Sequence, residues 1–143
     1  MNYSPRNVAM DYLSRREHSR KELTQKLINK GFDSEQIDEA LIHLINENLQ
    51  SDSRFAQSYL HYRVSKGCGP LKIRHELKQK GVFLGLILKA EKDEECDWYA
   101  LLKSVSERKY GLHPIKNLKE KQKRCRFLQQ RGFLMNDIMR LLA

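Results

Sequence analysis

The chain has little of what interrupts or staples a fold. Proline occurs only three times in 143 residues, so helices meet few forced breaks. The three cysteines, Cys68, Cys96 and Cys125, are odd in number, widely spaced and without a Cys-x-x-Cys pair. That pattern excludes a disulfide framework and the close ligand pairs of a structural zinc, and it suits reduced thiols. The five histidines are equally scattered, so no metal and no cofactor is expected. The longest apolar run, Val82 to Leu88, is already broken by Gly85, too short to cross a bilayer. Met1 to Arg6 carry no apolar signal core, which points to a cytoplasmic protein. Strand-like alternation over a useful length is missing as well. So are catalytic signatures. Gly67-Cys68-Gly69-Pro70 falls short of a phosphate loop, no Gly-x-Ser-x-Gly occurs, and no nucleophile–base pair suggests itself. The acidic run Asp93-Glu94-Glu95 with Asp97 reads as a solvated linker end rather than a cation site. A non-enzymatic protein is expected.

What the chain does contain is a threefold repeat. Gly31, Gly81 and Gly132 each follow a base (Lys30, Lys80, Arg131) and precede an apolar residue (Phe32, Val82, Phe133). Four positions before them stand Leu27, Leu77 and Leu128; six positions after stand Ile37, Ile87 and Ile138. Eight positions before, Leu23 and Ile73 match, but Arg124 breaks the apolar pattern. Repetition at this period marks stacked supersecondary units.

Each unit reads as three helices. Ser4-Pro5 opens the first, with Val8, Ala9, Tyr12 and Leu13 on one face. Ser19-Arg20-Lys21-Glu22 is a capping box for a second helix with Leu23, Leu27 and Ile28 as its stripe. It stops at Gly31, a left-handed position, as Gly81 and Gly132 do in the later copies. These three glycines are assigned a structural role. Asp33 caps a third helix carrying Ile37, Ala40, Leu41, Leu44 and Ile45. The middle copy has helices opening at Asp52, at Gly69-Pro70 (stripe Leu71, Ile73, Leu77) and at Leu84. The last has one near Trp98, then Leu118–Gln130 and Met135–Leu142. The expected fold is all-α: tandem three-helix units over residues 1–50, 51–97 and 98–143, forming an elongated, curved module.

The stretch Asp52-Ser53-Arg54-Phe55-Ala56, with Tyr59, Arg63, Gly67, Gly69-Pro70, Ile73, Glu76-Leu77 and Lys80-Gly81-Val82, resembles the RecX family. His18 to Leu23 with Lys30-Gly31-Phe32, and Arg131-Gly132-Phe133, are similar to it too. The chain departs where Gly85 and the apolar Phe83-Leu84 replace the polar helix start of the first copy. The resemblance implies a regulator of the RecA recombinase. Such a protein would lodge in the groove of the RecA nucleoprotein filament and inhibit its ATPase, strand-exchange and co-protease activities. It further implies that single- or double-stranded DNA can be bound directly.

Net charge is +9, from 27 Lys and Arg against 18 Asp and Glu, but it is a gradient: −1, +2 and +8 over the three successive units. Lys116, Lys119, Lys121, Lys123, Arg124, Arg126 and Arg131 face a single local acid, Glu120. A solvated face usually mixes signs, so this run favours contact with phosphate or an acidic surface. On one helix Lys116, Lys119, Lys123 and Arg126 would share a side, with Leu118, Phe127 and Leu128 facing the core. A second group, Arg63, Lys66, Lys72, Arg74, Lys78 and Lys80, leaves solvation and partner contact equally open. Tyr12 and Tyr59 belong with the core stripe, whereas Tyr62 can reach a partner; Arg63 reads as a partner contact and Arg54 as a tie from its helix to a neighbour. The alternative is a direct, helix-turn-helix-like DNA binder. It needs a recognition helix rich in groove-reaching polar residues, which the acidic or apolar third helices do not supply. A further rival, an adaptor between proteins, would show large exposed apolar patches.

Overall fold

A computed structural model describes residues 3–143; Met1 and Asn2 of the N-terminal segment lie outside the described residues. Those residues form nine helices and no strand. They are α1 (Pro5–Arg15), α2 (Arg20–Asn29), α3 (Ser34–Asn46), α4 (Asp52–Ser65), α5 (Pro70–Gln79), α6 (Leu84–Glu94), α7 (Trp98–Tyr110), α8 (Leu118–Gln130) and α9 (Met135–Leu142). Most starts have a local cause. Ser4, Asp33, Ser51, Asp97 and Asn117 accept from the third helical amide, and Ser19 with Glu22 closes the full capping box.

The second helix of every unit ends in the same double hydrogen bond. Gly31 N donates to Ile28 O and Phe32 N to Leu27 O; the pattern recurs at Gly81–Val82 and Gly132–Phe133. This is the Schellman turn, which needs a left-handed residue, and Gly31 (φ +96°) and Gly132 (φ +94°) supply it. The apolar residue after each glycine then closes over the helix it has left. The result is three separate cores: Ala9, Leu23, Leu27, Ile37, Leu41 and Leu44; Phe55, Ala56, Leu60, Ile73, Leu77, Val82 and Ile87; and Leu102, Val105, Leu128, Phe133, Ile138 and Leu142. Three residues expected in apolar stripes, Ile28, Leu71 and Leu118, are exposed instead, because three-helix units this small bury only a narrow strip of each helix. The accessible surface, 9204 Å², exceeds the roughly 7,700 Å² of a compact monomer of this mass, as an open array should.

The units meet end to end at two joints. At the first, Lys21 Nζ donates to Gln79 O (3.0 Å), Lys80 Nζ pairs with Glu22 (3.1 Å), and Arg20 N donates to Asp52 (2.8 Å). Arg54 spans the same joint, bonding Glu17 and Asn48, the tie expected of it. The second joint is made by backbone. Gly69 N donates to Arg131 O (2.7 Å) and Leu71 N to Gly132 O (2.9 Å), so the C-terminal end of α8 caps the N-terminus of α5. Positive and negative helix ends thereby meet. The approach is close: a Cβ on Gly69 would lie 2.5 Å from the Gly132 carbonyl, and one on Gly132 would lie 2.4 Å from Lys72 Cβ.

His18 is buried beside this first joint, its Nδ1 3.0 Å from Arg16 O. Burial holds its pKa below the ordinary 6.5, with the neighbouring Arg16 and Lys26 charges adding to the effect. Burial alone would raise the Glu22 carboxyl, but hydrogen bonds from Arg16, Ser19 N and Lys80 outweigh it and hold Glu22 low. Both groups are depressed in the fold, so both stabilise it above their unfolded pKa values and lose that contribution as pH falls.

Two outcomes are expected. Gly69 has an ordinary φ of −84°, so Gly69→Ala should cost about 1–3 kcal/mol solely through the second joint. Gly31→Ala, with open space around it, should cost about 1–2 kcal/mol from backbone strain alone. Urea unfolding measures both, and a neutral Gly69→Ala would mean that the joint is not formed in solution. Second, the melting temperature should begin to drop below about pH 6.5, where unfolded histidine first gains its proton. A His18→Asn variant should show a flatter profile down to about pH 5; an identical profile would remove His18 from the account.

Candidate nucleic-acid and partner interface

The residues of the basic run separate into two groups once α8 is in place. Lys119, Lys123 and Arg126, at i, i+4 and i+7, are exposed along one line of the helix, with Gln122 and Gln130 beside them. None of the three has an ion pair among the described residues. Lys116 lies before the helix, not on it, because Asn117 is the cap; its backbone N donates to Glu120.

Arg124 requires a larger correction. It is only 6% exposed, facing inward at the offset where the earlier copies have Leu23 and Ile73. Its guanidinium donates to Glu120 (2.6 Å) and His113 O (3.1 Å) and lies 4.7 Å from the Tyr110 ring centroid. It pins the 111–117 loop to α8 and is unavailable to a phosphate. In return the Arg124 bond, with the Lys116 amide, holds the Glu120 carboxyl below the usual range. The broken apolar pattern at this offset was the sequence signal for a buried, internally paired arginine.

The middle cluster is likewise divided. Arg63 grips Glu76 through two bonds (2.9 and 3.1 Å), and Tyr59 Oη donates to the same carboxylate (3.0 Å). Burial, reinforced by Glu76, pushes the Tyr59 pKa up to about 12. Arg74 bonds Glu91 on α6 through both ends of its fork, one of them 2.9 Å long, which raises its pKa. Arg63 and Arg74 are therefore internal clamps between helices: Arg63 is not the free partner contact expected of it, and Arg74, for which both readings stood open, is paired within the chain. The stem of Lys72 packs against Gly132 at the second joint. Lys66 and Lys78 are exposed, and Lys66 Nζ lies 5.6 Å from the ring of Tyr62, itself exposed. Arg131, counted above with the basic run, donates to Lys66 O (3.2 Å) and so belongs to the joint. What the geometry offers a polyanion is the exposed line of α8, with Lys66 and Lys78 on the middle unit.

Among the described residues no three His, Cys, Asp or Glu side chains converge on a metal-sized site. The three thiols are free, and burial with the nearby Glu94 and Asp97 pushes the Cys96 thiol up, away from reactivity. No described helix is long and apolar enough to cross a membrane.

Three three-helix units, glycine-turned and joined end to end with their basic charge on the last, define an all-α tandem-repeat protein built around surfaces. The chain matches the family models described as RecX first, second and third three-helix domain over residues 6–44, 51–83 and 95–142. It is 42% identical over 138 residues to regulatory protein RecX of Pseudomonas entomophila, covering 96% of this chain and 89% of that protein. It is 38% identical to regulatory protein RecX of Halorhodospira halophila over 93% and 83% of the two chains. The crystal structure of RecX from Lactobacillus salivarius superposes with a TM-score of 0.77 at 23% identity, covering 96% and 94%, a likeness of fold. This chain belongs to the RecX family.

Replacing Lys119, Lys123 and Arg126 together with alanine should leave the fold intact, since all three project into solvent. If they meet phosphates, the log–log salt slope of binding to DNA or a nucleoprotein should flatten by about 0.7–0.9 for each phosphate no longer neutralised. An unchanged slope would return these side chains to a merely solvated face.

Proposed function

We propose that this protein is a non-enzymatic, cytoplasmic inhibitor of RecA that binds the RecA–DNA filament in its groove. It lowers ATPase, strand-exchange and co-protease activity, and so tempers recombinational DNA repair and the SOS response. The observation that carries this reading is the similarity, over nearly the whole chain, to regulatory proteins named RecX. The physical mechanism is linkage: a ligand that binds one filament state more tightly draws the population toward it, by no more than its difference in affinity. A row of rigid units touching successive protomers opposes the relative motions that hydrolysis and strand exchange require. The exposed α8 line supplies long-range attraction to the polyanion, and it speeds encounter at low salt.

The second reading, a direct DNA binder, draws on that same line with Gln122 and Gln130 beside it. It lacks a reading helix: α3 exposes Glu35, Asp38 and Glu39, and α6 exposes leucines. Titrating the DNA-dependent ATPase of RecA with this protein at several salt concentrations separates the two. Inhibition that persists with DNA in excess is expected. Inhibition that merely tracks removal of free DNA would sink the filament reading.

A further inference from the structure

The three third helices begin at the same distance from their glycines, yet they begin differently. In the first unit the cap is Asp33, whose carboxylate accepts from Gln36 N, followed on the outer face by Asp38 and Glu39. The equivalent positions of the second unit are Phe83, Leu88 and Lys89, and those of the third are Leu134, Met139 and Arg140. Neither α6 nor α9 has a side-chain cap. Both expose apolar groups instead. Phe83 is 75% exposed, Leu84 and Leu88 46% and 50%, Met135 and Met139 41% and 47%. Leu84 with Leu88, and Met135 with Met139, are i, i+4 pairs and form one ridge per helix. Gly85 leaves room for the Phe83 ring, which a Cβ there would approach to 3.2 Å.

Each ridge is flanked by base. Lys89 and Lys92 are exposed beside the first, and Arg140 lies beside the second, 4.0 Å from the Tyr99 ring centroid. Giving up a cap and exposing large apolar groups both act against the isolated fold, and a partner that covers them offsets both. The same device appears twice, one repeat apart.

We infer that the α6 ridge (Phe83, Leu84, Leu88) and the α9 ridge (Met135, Met139) are paired docking points for successive subunits of a protein polymer. Each subunit presents an apolar cleft with a carboxylate rim. This rests on the filament reading above and adds to it the side chains that grip protein rather than DNA. The apolar centre supplies the anchor, and the lysines and arginine meet the acidic rim. Methionine in the second ridge adapts to a cleft of less regular shape. An anionic bilayer is the poorer occupant, because the same face of the first unit carries Asp33, Asp38 and Glu39.

The test uses the full chain with two variants, Phe83→Asp/Leu88→Ser and Met135→Ser/Met139→Ser. Asp at position 83 restores the cap of the first unit on a backbone already suited to it (φ −66°, ψ 140°), so the single Phe83→Asp protein should unfold no earlier than the parent. Each double variant should bind RecA–DNA filaments at least tenfold more weakly, with the salt slope unchanged and helical content retained. If the parent protein does not bind filaments, the filament reading fails. If the parent binds and both variants bind within twofold of it, the ridge inference is overturned. Weakening confined to one ridge overturns the paired arrangement. Intact filament binding with loss of binding to phosphatidylglycerol vesicles, or of self-association in sedimentation, overturns it in favour of a membrane or a second copy.

Discussion

A glycine held at positive φ after the second helix of each unit is the constraint on which the rest is built. It lets two amides beyond the helix turn back onto its last carbonyls, which fixes where the third helix begins. It folds Phe32, Val82 or Phe133 over the core that the second helix has just lined. A side chain at this position would strain all three turns, but only at Gly81 and Gly132 would it also meet a neighbouring unit. Gly31 faces open space, away from both joints. One local requirement thus serves chain reversal in all three copies and close approach in two.

The two joints use different chemistry for the same task. The first is held by long side chains, Arg54 on Glu17, Lys80 on Glu22 and Lys21 on the Gln79 carbonyl. The second brings backbone to backbone, and the carbonyls of Arg131 and Gly132 stand in for the cap that Gly69 cannot provide. Ion pairs that are partly exposed contribute little each and weaken with salt, whereas backbone bonds shielded by close packing do not. The joint between the second and third units is therefore the less salt-sensitive of the two. These units are also the pair that carries the basic charge and both apolar ridges.

Charge on this protein divides by what surrounds it. Arg63, Arg74 and Arg124 are drawn inward by Glu76, Glu91 and Glu120 and act as clamps. Among the described residues Lys119, Lys123 and Arg126 have no ion pair, since Glu120, the one acid of α8, is taken up by Arg124. The bidentate fork of arginine suits it to the first task, and its stem packs well when the head is satisfied. A net charge of +9 overstates what is offered to a partner and understates how locally it is offered.

The sequence alone determined the helices and their repeat, because capping boxes, left-handed glycines and apolar spacing act within a few residues of one another. Ser19 to Glu22, Asp33 and the three glycines were legible for that reason. The family was legible too, through motifs that lie mostly in the middle unit. Only the tertiary structure decided which basic residues are available, since an arginine and its carboxylate meet across 13 or 17 positions of chain, as Arg63–Glu76 and Arg74–Glu91 do. It also decided that Gly69 and Gly132 touch across a joint, and that Phe83 and Leu88 stand in solvent while their neighbours are buried. Local bonding is written in spacing along the chain; burial and pairing depend on which faces are brought together once the units have stacked.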